Sequence, residues 1–141
     1  MTRLGNWQGL LQAFLTEHQF DTFEYGRWDC CMFVCDAVRV ITGTDPARDI
    51  RGTYSTPMES RRVMRAYGAR SMRGLVETVT ARCGMPEVPV LSAHRGDAAL
   101  VVTGRSCSLG LVGLNGREVV LTSANGLWSV PLPMASRAWR V

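Results

Sequence analysis

The spacing of apolar residues changes near Pro89. Before this proline, apolar residues recur every three or four positions, which is the spacing of amphipathic helices. After it, short apolar runs alternate with Gly, Ser and Asn, which is typical of strands and turns. Helices that precede strands are the pattern of an α+β protein. We therefore predict one domain, 1–141, with helices over about 1–85 packed on an antiparallel sheet of about five strands over about 96–141.

Four helices are predicted in the first part of the chain. Their bounds are Leu4–His18, Asp29–Ile41, Thr56–Gly68 and Ser71–Cys83. Gly43 follows the second helix as a stop signal. The third helix has Thr56 as N-cap, Pro57 at the first helical position and Glu59 placed to complete a capping box. His18 closes the first apolar stripe and is interpreted as a residue at a helix end.

The predicted strands are separated by turn residues. Their bounds are Asp97–Thr103, Leu109–Leu114, Arg117–Thr122, Leu127–Leu132 and Ala138–Val141. The strongest local signal is Asn115-Gly116 between two apolar runs, which predicts a hairpin turn.

The length of 141 residues suits a domain whose core needs no disulfides, and five cysteines are an odd number for a disulfide framework. No apolar run approaches the roughly 20 residues of a membrane span, and the N-terminus lacks the features of a signal peptide. We therefore expect no membrane span and synthesis in a reducing cytoplasm.

All 16 positive charges are arginines, and the formal net charge is +4. Arginine binds phosphate through two parallel hydrogen bonds, so nucleic acid is a candidate partner. The densest basic stretch, 61–73, contains Tyr67 as its only aromatic residue and lacks the stacking residues of a single-strand binder. We interpret it as a solvated helix face, attribute the arginine bias to a GC-rich coding sequence, and expect no nucleic-acid partner.

Reactive residues cluster where the second helix begins. The segment reads Trp28-Asp29-Cys30-Cys31-Met32-Phe33-Val34-Cys35. Cys30 falls in the first turn, where free backbone N–H groups and the helix dipole stabilise a thiolate, so it is the candidate nucleophile. Cys31 and Cys35 are interpreted as buried apolar residues. Cys83 and Cys107 complete the set, whose spacing matches neither a CxxC zinc knuckle nor a ferredoxin run, so we predict no metal and no cofactor.

The start of the second helix resembles a known family. The motif is Phe23-x-Tyr25-Gly26-x-Trp28-Asp29-Cys30, followed much later by Gly96-Asp97 at a strand start. These residues resemble the NlpC-type branch of the papain-like cysteine peptidases, which cut bacterial cell-wall peptides. The chain is more similar still to small NlpC-like proteins encoded among phage and prophage tail genes, which share a Gly-Leu hairpin and an ending like Ala138–Val141. The resemblance covers residues 20–141 and implies a papain-like fold with Cys30 as nucleophile.

The chain departs from the peptidase pattern at the catalytic base. In the family that it resembles, a strand reading His-Val-Gly-Ile-Tyr carries the histidine, and here Ser108 occupies that position. A serine hydroxyl does not take a proton from a thiol near neutral pH. His94 is the candidate for a replacement base, although we interpret it as a solvated loop residue. The resemblance makes Asp97 a structural residue that opens a strand.

Two functions are therefore expected from the resemblance. The first is a structural or assembly component of a phage-type tail tip or baseplate, located in the virion tail and bound to other tail proteins, which has lost the catalytic histidine. The alternative is an active peptidoglycan-cleaving amidase or endopeptidase that uses Cys30. Nucleic-acid binding through the arginines ranks below both.

Overall fold

The computed structural model describes residues 1–141, with four α-helices followed by a six-stranded antiparallel sheet. The helices are α1 (Trp7–His18), α2 (Cys30–Thr42), α3 (Pro57–Ala66) and α4 (Met72–Arg82). The strands are β1 (Glu87–Val88), β2 (Ala98–Thr103), β3 (Ser106–Val112), β4 (Glu118–Leu121), β5 (Trp128–Pro131) and β6 (Ala135–Trp139). The predicted α+β class is confirmed. None of the helices is both long enough and apolar enough to cross a bilayer.

The helix ends follow the predicted capping chemistry. Thr56 Oγ1 accepts a hydrogen bond from the Glu59 backbone N–H at 3.2 Å, and Pro57 occupies the first position of α3. Gly43 caps α2 as predicted. The first helix begins at Trp7 rather than at Leu4.

The sheet has the order β1-β6-β2-β3-β4-β5 and differs from the prediction in its details. The two-residue strand β1 was not predicted, because so short a segment has no periodicity and is fixed by pairing with β6. The predicted last strand began at Ala138, but β6 begins at Ala135. The hairpin between β3 and β4 does turn at Asn115-Gly116, through a loop of residues 113–117 that is longer than a two-residue turn.

Each face of the sheet carries its own apolar cluster. The helix α2 packs through Phe33 and Val34 against one face, which presents Leu109 and Leu111 of β3. The opposite face presents Val112, and this second cluster is covered by Leu132 and its neighbours in a 3-10 turn. The alternation along β3 thus decides which side chains face α2.

The fully buried Asp97 joins the two ends of the chain just before β2. Its Oδ1 lies 2.6 Å from Arg3 NH2 and accepts the Val141 backbone N–H at 3.1 Å. Its Oδ2 accepts the His94 backbone N–H at 2.8 Å and lies 2.9 Å from Arg140 Nε. The latter contact is an ion pair only, since the Nε–H is not aligned for a hydrogen bond.

Candidate functional site

A buried carboxylate fixes the start of α2. Asp29 Oδ1 caps the helix by accepting the Met32 backbone N–H at 2.8 Å, while Oδ2 accepts the Gly26 backbone N–H at 2.9 Å and the Tyr54 hydroxyl. Burial, followed by the hydrogen bond to Asp29, raises the pKa of Tyr54, which keeps this hydroxyl a donor. The first turn of α2 is therefore held from the preceding loop and from the segment before α3.

Cys30, the first residue of α2, lines a cavity of about 300 Å³ between the helices and the sheet. Most of its lining is apolar and includes Met64 and Met72, with Phe23 and Tyr25 among the other lining residues. The rings of Phe23 and Tyr25 meet edge to face with their centroids 4.9 Å apart. The cavity thus places a thiol against apolar surface beside two half-exposed aromatic rings.

The pKa of the Cys30 thiol lies below its ordinary value. Hydrogen bonding with the Cys31 thiol is the largest cause and a hydrogen bond with the Leu109 backbone acts in the same direction, whereas burial opposes both. The pKa of Cys31 is raised in return, first by that same hydrogen bond and then by burial. This hydrogen bond therefore favours the thiolate on Cys30 over the thiolate on Cys31.

Replacing Cys31 by alanine is expected to raise the pKa of Cys30, because the largest cause of its lowering is removed. Less thiolate at neutral pH means slower alkylation of Cys30 by iodoacetamide, and its pH–rate profile should shift to higher pH. Mass spectrometry identifies the alkylated site among the five free cysteines. Cys83→Ala, a half-buried thiol outside the cavity, is the matched control and should leave the profile unchanged. An identical profile in Cys31→Ala would contradict this account.

Two adjacent residues of β3 border the cavity on the sheet side. Ser108, the residue at the predicted base position, and Cys107 both line it. Cys107 packs with Leu109 and Leu111 against the apolar cluster that contains α2, so by strand alternation the Ser108 side chain points to the other face. Burial raises the pKa of Cys107, and the charge of the Cys30 thiolate raises it further. Sequence reasoning overlooked Cys107 as a site residue, although the period-two pattern at 107, 109 and 111 indicates its direction.

Neither histidine lines the Cys30 cavity. His94 borders a separate open cleft near Arg3 and Trp7, and its Nδ1 lies 3.3 Å from Arg140 NH1. His18 ends α1, stacks on Trp28 with centroids 4.7 Å apart, and is 2.6 Å from Asp21 through its Nδ1. The structure therefore places Ser108 at the border of the Cys30 cavity with its side chain on the other face of the sheet, and it places His94 in a separate cleft.

Tyr54 is a further site residue that sequence reasoning did not identify. It lies 25 positions beyond Asp29, in a segment interpreted only as a loop, so no local pattern connects the two side chains. No group of three or more histidine, cysteine or acidic side chains is arranged to hold a metal ion.

These features define an α+β domain with a cysteine at the head of a buried helix and an apolar cavity between that helix and an antiparallel sheet. Over residues 2–141 the chain matches the family described as a domain of unknown function (DUF6950), and it belongs to that family. No curated protein matches the chain.

Proposed function

We propose that the protein is a non-hydrolytic structural or assembly component of a phage-type tail tip or baseplate, built on an NlpC-like, papain-like fold. The main support for this proposal is the lining of the cavity around Cys30. Ser108 and Cys107 border it on the sheet side, and no imidazole lines it. Papain-like hydrolysis needs a base within hydrogen-bond reach of the nucleophile and of the leaving group. The tail location and the tail-protein partners rest on the resemblance of residues 20–141 to tail-encoded proteins.

The order of elements supports the NlpC-like fold. A cysteine opens a central helix, that helix packs on an antiparallel sheet, and a Gly-Asp pair immediately precedes β2. These are the positions that the resemblance assigns to the nucleophile and to the strand-opening pair. A peptidase scaffold without a base retains the cavity and the helix, which suits a domain used for assembly.

The alternative is a working peptidoglycan amidase or endopeptidase. The lowered pKa of Cys30 and its place in a cavity beside Phe23 and Tyr25 favour this second candidate. It requires a base from outside the cavity. The one carboxylate that lines the cavity, Asp29, already accepts three hydrogen bonds, and the β3 hydroxyls of Ser106 and Ser108 do not accept a proton from a thiol at neutral pH.

Incubating the protein with soluble peptidoglycan fragments separates the two functions. We expect wild type, Cys30→Ala and the control Cys83→Ala to release no product above buffer, because no base activates the thiol. Cleavage by wild type and Cys83→Ala that disappears in Cys30→Ala would overturn the structural proposal and establish the hydrolase.

The tail assignment has its own test. Tail particles purified from the phage or prophage that encodes the chain are expected to contain the protein, and Cys30→Ala is expected to be incorporated as well as wild type. Particles that lack the protein would contradict the assignment, independently of the hydrolysis result.

A further inference from the structure

The net charge of the protein is concentrated in one part of the chain. Residues 57–82, which span α3 and α4, contain six arginines and two glutamates. This segment therefore accounts for the whole net charge of +4, and the remainder contains ten arginines and ten acidic residues. Such a separation of charge orients encounters between molecules.

The exposed side of α3 forms a basic patch with an apolar residue at its N-terminal end. Met58, which is 63% exposed, is followed at helical spacing by Arg61, Arg62 and Arg65, and we call these four residues the basic patch. None of the three arginines has an acidic partner within ion-pair distance, so their guanidinium groups are free to bind another molecule.

An acidic patch, which also combines charged side chains with one exposed apolar residue, lies at the C-terminal end of α1. Phe20, which is 80% exposed, is surrounded in sequence by Glu17, Asp21 and Glu24, and we call these four residues the acidic patch. All three acidic side chains are about half exposed or more. Two neighbouring side chains contact the patch: Arg27 lies 3.6 Å from Glu24, and His18 Nδ1 lies 2.6 Å from Asp21.

The two patches lie on opposite sides of α2. The helix α1 contacts α2 through the Phe14–Phe33 ring pair, and the segment before α1 adds a hydrogen bond from the Leu4 backbone N–H to the Ile41 carbonyl. The segment around α3 packs instead against the cluster that contains Met32 and Cys35. At about 100° per residue, these two pairs of α2 positions point in nearly opposite directions. A copy that offers one patch to a partner thus leaves its other patch free.

We propose that the chain associates head to tail with a second copy of itself, the basic patch of one copy against the acidic patch of the next. Met58 packs on Phe20, where sulfur–aromatic contact adds to apolar burial, and the charged side chains pair beside this contact. A heterologous contact of this kind builds rings or filaments. Self-association does not depend on the chemistry of Cys30, so it goes beyond the proposed tail function.

Nucleic acid fits the basic patch less well than a second copy does. Tyr67 is the aromatic residue nearest to these arginines in sequence, and its ring is covered by Arg82, whose guanidinium lies 4.6 Å from the ring centroid. Stacking of bases on this ring is therefore blocked. The acidic patch, by contrast, offers both a complementary charge and an exposed ring.

Sedimentation across a concentration series tests the association. Wild type is expected to form assemblies at about 0.1 M salt and to dissociate at about 1 M, where screening reduces the reach of charges to about 3 Å. Arg61→Glu/Arg65→Glu should weaken association about a hundredfold, because it places like charges opposite each other. Arg105→Glu/Arg117→Glu changes the net charge equally at two exposed arginines outside the patch and should associate as wild type does. Wild type that stays monomeric at about 0.1 M salt would overturn the proposal.

A mixing experiment tests the head-to-tail geometry. The mixing variants neutralise charge instead of reversing it, because two reversed patches would attract each other. Glu17→Gln/Glu24→Gln removes charge from the acidic patch and Arg61→Gln/Arg65→Gln removes it from the basic one, so each variant alone should be monomeric. Their mixture should give a one-to-one heterodimer and nothing larger, because each variant retains one intact patch, and this also shows that both are folded. No heterodimer, or binding of a DNA duplex by monomeric wild type with no self-association, would overturn the proposal.

Discussion

Replacing Asp97 by asparagine is expected to destabilise the fold by about 3–5 kcal/mol, because two partly buried arginines lose their charged partner and two backbone N–H groups lose a carboxylate acceptor. The carboxylate is fully buried, and its two oxygens face Arg3, Arg140 and two backbone N–H groups. An asparagine keeps the shape but presents an NH₂ group to donors and removes the compensating charge. Burial lowers the pKa of the Arg3 guanidinium, whereas the negative charge of Asp97 raises it. Loss of Asp97 would therefore leave only the effects that disfavour the charged form.

Urea unfolding of Asp97→Asn measures this loss. The control is Glu87→Gln, which removes an exposed ion pair to Arg137 at 2.8 Å and should cost at most about 1 kcal/mol. Equal losses in the two variants would contradict a central role for Asp97. The resemblance assigned Asp97 to a strand start, where it indeed lies, but the connection to Arg3 spans 94 residues and has no signature in local sequence.

The elements that the sequence predicted well are those with a local signal, such as a helix cap or an apolar stripe. Thr56 and Pro57 fixed the start of α3, and the apolar stripe gave α1 to within three residues, because caps and periodicity act over one or two turns. The two-residue β1 exists only through its pairing with β6 and was missed. The observed strand ends differ from the predicted ones for the same reason, because pairing with neighbouring strands, rather than residue propensity, sets where a strand ends.

The residues of the candidate site also fall into two groups, those that a local sequence signal predicts and those that only tertiary packing brings together. Cys30 at the start of α2 follows from the Asp29 cap and from helix periodicity. Tyr54 and Cys107 reach the same place from 24 and 77 positions away, through packing of a loop and of β3. Residues that only tertiary contacts bring together could therefore not be predicted, whereas the absence of an imidazole from the cavity lining agrees with the serine that the resemblance places at the histidine position.

Substituting Gly26 by alanine is expected to cost about 3–5 kcal/mol, from backbone strain and from a clash. Gly26 has φ +79°, and an added Cβ would lie 1.8 Å from the backbone oxygen of Tyr54. This oxygen belongs to the main chain and moves only with its segment. Displacement of either segment also weakens the Gly26 hydrogen bond to Asp29, and with it the cap that holds Cys30.

Gly52→Ala separates the strain from the clash. Gly52 has φ +76°, but an added Cβ would meet nothing within 4 Å, so only the strain of about 1–2 kcal/mol is expected. Gly26→Ala should also change the alkylation rate of Cys30, and Gly52→Ala should not, because only Gly26 contacts the helix cap. If both variants lose the same free energy of unfolding and leave Cys30 equally reactive, the contact between Gly26 and Tyr54 does not support the site. A larger loss in Gly26→Ala with altered alkylation shows that this loop positions the thiol.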